Sequence, residues 1–172
     1  MGIFSDVDIK DAIKKKEIII EPMPPEECFG AGSVDIALSD VFYIKKKNLK
    51  KKIYDAESTS FEDMYDKVVS DSIVIHPGEC ILALTHEKLI LSSDICGWIQ
   101  GRSRYARLGL TVHVASSFIQ PGSQNRQILE IVNLSKVPMR LKKGMRMCQI
   151  IFERTDSKSS IPYYKKGTFA KQ

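Results

Sequence analysis

Val34-Asp35-Ile36-Ala37-Leu38-Ser39 sets apolar residues at every second position. Successive side chains of an extended chain point to opposite faces, so this stretch reads as a strand with Val34, Ile36 and Leu38 on one side. Comparable runs lie to either side of it: residues 18–20 before it, then 41–44, 73–75, 80–84, 89–91, 128–132, 139–141 and 148–152. Turn signals separate them, among them Pro22-Met23-Pro24-Pro25, His76-Pro77-Gly78 and Lys142-Lys143-Gly144. Many short strands with closely spaced turns predict an all-β sandwich or barrel with a few short helices.

Two segments carry a helical signature. Ser5 is a candidate N-cap, Asp8 follows three residues later as in a capping box, and Ile9, Ala12 and Ile13 share one face. Residues 103–109, Ser-Arg-Tyr-Ala-Arg-Leu-Gly, read as a short helix closed by Gly109.

The 172 residues suit one domain with a polar tail from about residue 157, which is expected to be mobile until something docks on it. With 43% hydrophobic and 27% charged residues the chain has enough apolar material for a core, which argues against disorder. A net charge of +5 attracts polyanions of any kind and does not choose among them. The lysines at 45–47 and 50–52 are open to two readings, a nucleic-acid patch or a solvated loop or strand edge, and the lack of interleaved aromatics favours the second. Cys28, Cys80, Cys96 and Cys148 are scattered and form no C-x-x-C pair, so reduced, mostly buried thiols are expected. No basic-then-apolar leader opens the chain, Asp6 spoils a myristoylation pattern, and no apolar run approaches a membrane span, which makes the cytoplasm the expected compartment.

Two features point to chemistry. Gly101-Arg102-Ser103-Arg104-Tyr105-Ala106-Arg107-Leu108-Gly109-Leu110 places three arginines and a serine within six residues. Guanidinium groups recognise phosphate oxygens through several donors, and a serine hydroxyl with nearby N–H groups would complete an anion cradle, although surface arginines are common. Glu130 interrupts the apolar run of residues 127–133; it is either the solvent-facing member of an alternating strand or a partly buried general base.

Together these residues carry a resemblance. Pro77-Gly78-Glu79, Gly97-Trp98-Ile99-Gln100-Gly101-Arg102-Ser103, Ala106-Arg107-Leu108-Gly109-Leu110, Val112-His113-Val114, Ile119 with Pro121-Gly122, Leu129-Glu130, Gly144-Met145-Arg146 and Gln149 resemble the dCTP deaminase/dUTPase superfamily, and its dCTP deaminases in particular. Ser5-Asp6 with Asp8-Ile9, Gly32-Ser33-Val34-Asp35 and the end from Pro162-Tyr163 through Gln172 are similar too; only residues 45–72 fall outside.

The resemblance implies a distorted jelly-roll-like β-barrel of the dUTPase type, a homotrimer with sites between subunits, and hydrolysis of dCTP to dUTP and ammonia. Mg²⁺ would travel with the triphosphate rather than sit in a protein cage. On the same basis Glu130 is the general base, and Ser103 and Arg107 place water and stabilise charge developing at C4. Arg102, Arg104, Tyr105 and Ala106 belong to the phosphate cradle, Gln120 lies by the sugar and water, and Ile128 and Leu129 border the base beside Glu130. Gln149, Tyr163 and Gln172 touch the nucleotide, the last two from the tail. The sequence contains neither the H-x-E nor the P-C-x-x-C motif of zinc deaminases, so a deaminase of this sequence is expected to activate water with a carboxylate, without zinc.

Some positions depart from the pattern. Arg104 replaces a serine, Ser123-Gln124-Asn125 replaces an aromatic-x-Gly turn, Ser116-Ser117-Phe118 replaces another small-residue stretch, and Thr168 stands near an expected lysine. Gln120 stands for an aspartate, and an amide is neither base nor anion, which argues against pyrophosphate cleavage. Three other readings remain: a dUTP diphosphatase or bifunctional enzyme acting on dUTP, a non-catalytic binder of dCTP or dTTP, and an OB-like nucleic-acid barrel, the last disfavoured by 8% unclustered aromatics.

Overall fold

The computed structural model describes residues 2–49, 53–113 and 115–170. In chain order they form α1 (Asp6–Lys14), β1 (Ile18–Glu21), β2 (Phe29–Gly30), β3 (Ser33–Lys45), α2 (Phe61–Met64), β4 (Tyr65–Val69), β5 (Ser72–Ile75) and β6 (Cys80–Leu91). There follow β7 (Ile95–Gly101), α3 (Ser103–Ala106), β8 (Leu110–Val112), β9 (Phe118–Ile119), β10 (Gln124–Asn133), β11 (Met139–Lys142), β12 (Arg146–Arg154) and α4 (Tyr163–Lys166). The main sheet runs β8-β10-β6-β3-β12-β7-β9, with β1 added to β6 and β2 and β4 added to β3; β5 and β11 form a separate ribbon. The all-β expectation holds, and the sheet curls into a half-barrel.

The period-two alternation decides which face of the sheet is buried. Val34, Ile36 and Leu38 of β3, Leu129 and Ile131 of β10, and Ile150 and Phe152 of β12 fill one apolar core from the concave side. The N-terminal capping box forms as expected: the Asp8 N–H donates to Ser5 Oγ at 3.2 Å, and the Ser5 N–H donates to Asp8 Oδ2 at 3.0 Å. Ile9 and Ala12 then press α1 onto the core. Cys28, Cys96 and Cys148 are buried free thiols and Cys80 is half-buried. Among the described residues no helix is long and apolar enough to cross a membrane.

Two pairs of predicted strands are single long ones. Residues 34–39 and 41–44 belong to the 13-residue β3, and residues 80–84 and 89–91 belong to the 12-residue β6. The apolar pattern breaks at Thr85 and Glu87 without ending β6, because both are buried and hydrogen-bonded. The Thr85 hydroxyl donates to the Glu87 carbonyl at 2.8 Å and accepts the Gln127 N–H at 2.9 Å. Glu87 Oε2 accepts the Ala37 N–H at 2.9 Å. Register shifts lie at the same level: β10 slips against β6 between Arg126 and Ile128, and β3 slips against β6 between Leu38 and Phe42. Thr85 and Glu87 therefore satisfy N–H groups where the ladders are interrupted.

Burial pushes the Glu87 carboxyl above its ordinary range, since it disfavours the charged form more than the Ala37 N–H favours it. In the window between its unfolded and folded values the native state binds the extra proton, so this contribution is present at low pH and is lost as pH rises through the folded value. Glu87→Ala, which orphans the Ala37 N–H, is expected to cost about 1–3 kcal/mol in denaturant unfolding. Relative to Glu87→Gln, the wild type should gain stability as pH is lowered from 7 to 5; a flat difference would mean that Glu87 titrates normally.

Candidate active site

Along β10 the odd-numbered Leu129, Ile131 and Asn133 point into the core, and the even-numbered Ile128, Glu130 and Val132 face outward, half-exposed. Cross-strand pairing extends Glu130 into a row: it faces Leu82 on β6, Leu82 pairs with Tyr43 on β3, and Tyr43 pairs with Lys67 on β4. Glu130 thus stands on the convex side, at the base of a cleft of about 330 Å³ that also takes in Leu82, His113, Gln120, Asn125 and Ile128.

The loop after β8 fixes the carboxylate. Glu130 Oε2 accepts the Ala115 N–H at 3.0 Å, and the Glu130 carbonyl accepts the His113 N–H at 2.8 Å. His113 takes a left-handed backbone conformation with φ 56°, which turns the chain back over the strand. Burial holds its imidazole below the ordinary histidine range, and the neighbouring Glu130 charge opposes this only partly. The ring is therefore neutral at neutral pH, and Glu130 is the one charged side chain among the described residues lining the cleft.

The arginine-rich string lies elsewhere. Helix α3 is shorter than the predicted 103–109 segment; Leu108 and Gly109 form the turn that closes it, with Gly109 at φ +81°. A Cβ on Gly109 would also stand 3.0 Å from the Ser135 backbone nitrogen, so glycine is needed twice over. Tyr105 anchors the turn in the core, while Ser103, Arg104, Ala106 and Arg107 are exposed. Arg102 turns inward: its guanidinium pairs with Asp35 at 2.8 Å and donates to the Arg146 carbonyl at 3.0 Å. Burial pushes Asp35 upward while Arg102 and Arg146 pull it back.

Of the residues expected at the site, Glu130, Gln120, Ile128 and Tyr163 meet in the cleft. Ser103, Arg102, Arg104 and Arg107 do not line it; Gln149 accepts a hydrogen bond from Ser33 Oγ at 2.8 Å, and Leu129 is fully buried in the core. Gln172 lies outside the described residues. Sequence reasoning gave no role to His113, Phe61 or Asn125. His113 carried a signal, as the polar residue that ends the Leu110–Val112 strand.

The tail returns to its own barrel. The Tyr163 and Tyr164 N–H groups donate to the Pro121 and Gly122 carbonyls at 3.0 and 3.1 Å. Asn125 Nδ2 donates to the Phe169 carbonyl at 2.9 Å, and Gln127 Nε2 donates to Asn125 Oδ1 at 2.9 Å. Tyr163 and Phe169 thereby line the cleft. Among the described residues no group of three or more His, Cys, Asp or Glu could hold a metal ion.

A curled antiparallel sheet with an outward carboxylate cleft defines a class. Among solved structures the chain shares its fold with a 2′-deoxycytidine 5′-triphosphate deaminase from Agrobacterium tumefaciens (TM-score 0.69, 20% identity, 90% of this chain and 48% of that one). It shares it also with the dUTPase of phage phi11 of S. aureus (TM-score 0.55, 11% identity, 88% of this chain and 99% of that one). It spans about half of the Agrobacterium chain. The dCTP deaminase-like family matches residues 3–155, and the chain belongs to that family. A dCTP deaminase of Shewanella loihica is 39% identical over 171 residues, covering 94% of this chain and 88% of the relative. A dUMP-forming dCTP deaminase of Methanosphaera stadtmanae is 39% identical over 166 residues, covering 95% and 84%.

Gly122 seats the tail: its φ is +77°, and a Cβ there would fall 2.5 Å from Pro162 Cβ. Gly122→Ala is expected to lift the tail and to speed limited proteolysis between residues 157 and 170 several-fold, with the barrel left intact. Tail cleavage at the wild-type rate would show that the tail does not rest on Gly122.

Proposed function

We propose that this protein hydrolyses dCTP to dUTP and ammonia, with Glu130 as the general base. The observation that carries this reading is the cleft charge: one carboxylate, held by a backbone N–H, beside a neutral imidazole and among amides and apolar side chains. Glu130 takes a proton from a water molecule and delivers it to the ring nitrogen as the oxygen attacks C4 of the cytosine ring; it then carries the proton of the C4 hydroxyl to the amine, and the C4–N bond breaks to release ammonia and leave the C4 carbonyl. With His113 neutral, no cation among this chain's described cleft residues lies beside the carboxylate.

A triphosphate needs cations that this cleft lacks. Arg104 and Arg107 are exposed on a turn outside it, and no ion pair among the described residues engages them. We therefore place these arginines and Ser103 in the cleft of a neighbouring copy, within a homotrimer whose interface is heterologous. Arg107 and Ser103 would then place water and balance charge at C4, while Arg102, tied to Asp35, anchors the turn that presents them. Mg²⁺ enters with the phosphates, since a lone carboxylate makes no cage for it. Tyr163 and the tail close the cleft and exclude bulk water.

The dUMP-forming relative keeps a second reading open, in which diphosphate is also released. Gln120 favours deamination alone: it lines the cleft where the resemblance expects an aspartate, and an amide cannot deprotonate a second water.

Incubation of the purified protein with dCTP and Mg²⁺, resolved by ion exchange, should yield dUTP and ammonia; dUMP with pyrophosphate would establish the second reading. Glu130→Gln is expected to lower kcat by about 10²–10⁴ while dCTP still binds. Turnover by Glu130→Gln at the wild-type rate would remove Glu130 from the mechanism. Mixing inactive Glu130→Gln with inactive Arg107→Ala should restore about a quarter of wild-type activity if each cleft draws on two subunits. No recovery would place both residues on one chain's site.

A further inference from the structure

We infer that Phe61 forms the nucleoside-binding wall of the cleft, opposite Glu130, and is a specificity residue for the base and deoxyribose. This rests on the deaminase reading above and extends it into residues 45–72, which the family resemblance did not cover.

Phe61 opens the single turn α2. Ser60 caps that turn: its Oγ accepts the Asp63 N–H at 3.3 Å, and its own N–H donates to Asp63 Oδ2 at 3.2 Å. Lys46 binds the turn to the end of β3, with its N–H on the Met64 carbonyl at 2.9 Å and its Nζ on the Glu62 carbonyl at 2.7 Å. The Phe61 ring stands edge-on to Tyr43, with centroids 5.5 Å apart and planes at 81°. That is a favourable aromatic geometry, and it sets the ring's direction.

Tyr43 is a member of the row that runs through Leu82 to Glu130. Adjacent strands are about 4.8 Å apart, so Tyr43 lies two strand spacings, about 10 Å, from Glu130 along this row, and the Phe61 ring packed on it lines the same cleft as the carboxylate. Phe61 lines the cleft with Leu82 and Ile128, two apolar neighbours of Glu130 on the same face. It is not core filling: α2 buries none of its residues, and Phe61 is only half-buried.

The chemistry of this wall selects one part of a nucleotide. Phe61, Leu82 and Ile128 offer neither a hydrogen-bond donor nor a charge, so phosphate would lose hydration there without compensation. A pyrimidine ring and the 2′-deoxy edge of its sugar lose little, and gain contact with the ring face.

The test is steady-state kinetics of the full-length protein with dCTP and Mg²⁺, with inhibition by inorganic tripolyphosphate measured alongside. Phe61→Ala is expected to raise KM for dCTP about tenfold with kcat changed less than about threefold, and Phe61→Trp to stay near wild type. The tripolyphosphate inhibition constant should be unchanged in both, because that probe lacks the nucleoside. Phe61→Leu, which keeps an apolar side chain without the ring, should fall between and guards against a folding artefact in Phe61→Ala. An unchanged KM in Phe61→Ala, or a tripolyphosphate constant that rises in step with KM, would overturn the inference. A wild type that binds dCTP without releasing ammonia would overturn the deaminase reading alone, and the same variants would then be compared by the dissociation constant for dCTP in calorimetry. A wild type that does not bind dCTP overturns both.

Discussion

Thr85 and Glu87 sit two residues apart on the core side of β6, and three strands rely on the hydrogen bonds they make. Between Leu84 and Lys88 the β6 chain advances four residues while its partner β10 advances two, from Ile128 to Arg126. A shift of two keeps the parity of the strand, so Leu129 stays in the core and Glu130 stays outside. A shift of one would exchange the faces, burying the carboxylate and exposing leucine. The Thr85 hydroxyl holds the shift by accepting the N–H of Gln127, the residue the shifted ladder leaves without a partner. The position of the candidate base thus depends on a buried polar pair about three residues away along the sheet, which a purely apolar core could not supply.

From that constraint the electrostatics of the cleft follow. The backbone holds Glu130 through Ala115, burial holds His113 neutral, and the basic groups are kept apart on the α3 turn. Arg102 is neutralised internally by Asp35, which makes it part of the scaffold, and Arg104 and Arg107 are left to solvent or to another copy. Within one chain the α3 turn therefore carries its free guanidinium groups outside the cleft. The exposed side chains around it, Leu108, Leu134 and Val137, belong to the same end of the barrel as the turn.

Much of this was legible in the chain itself. Alternation at residues 34–39 and the apolar run at 128–132 located strands of the sheet, Glu130 stood out as the acid interrupting that run with its face left open, and the capping pair Ser5 and Asp8 placed the first helix. The lengths of β3 and β6 were not legible. A polar residue inside a strand looks like a strand end unless its hydrogen-bond partner is known, and the partners of Thr85 and Glu87 lie about 40 to 50 residues away in sequence. The inward turn of Arg102 was hidden for the same reason, Asp35 being 67 positions upstream. The tail's seat was invisible too, because backbone carbonyls of Pro121 and Gly122 make it, and these carry no side-chain signature. Phe61 lay in a stretch with neither periodicity nor resemblance, and only its contact with Tyr43 gives it meaning.

The order of strands in space differs from their order in the chain, and this bears on how the molecule is made. β12, the last long strand, lies in the middle of the sheet between β3 and β7, and its Phe152 carbonyl accepts the N–H of Phe4. Until residues 146–154 have been made, β3 and β7 each present an open edge and the Phe4 N–H lacks its partner. Such edges invite pairing with other nascent chains, and distant pairings form slowly. Completion of this sheet therefore waits for β12, and the interval between the synthesis of β7 and that of β12 is when the chain most needs protection from its neighbours.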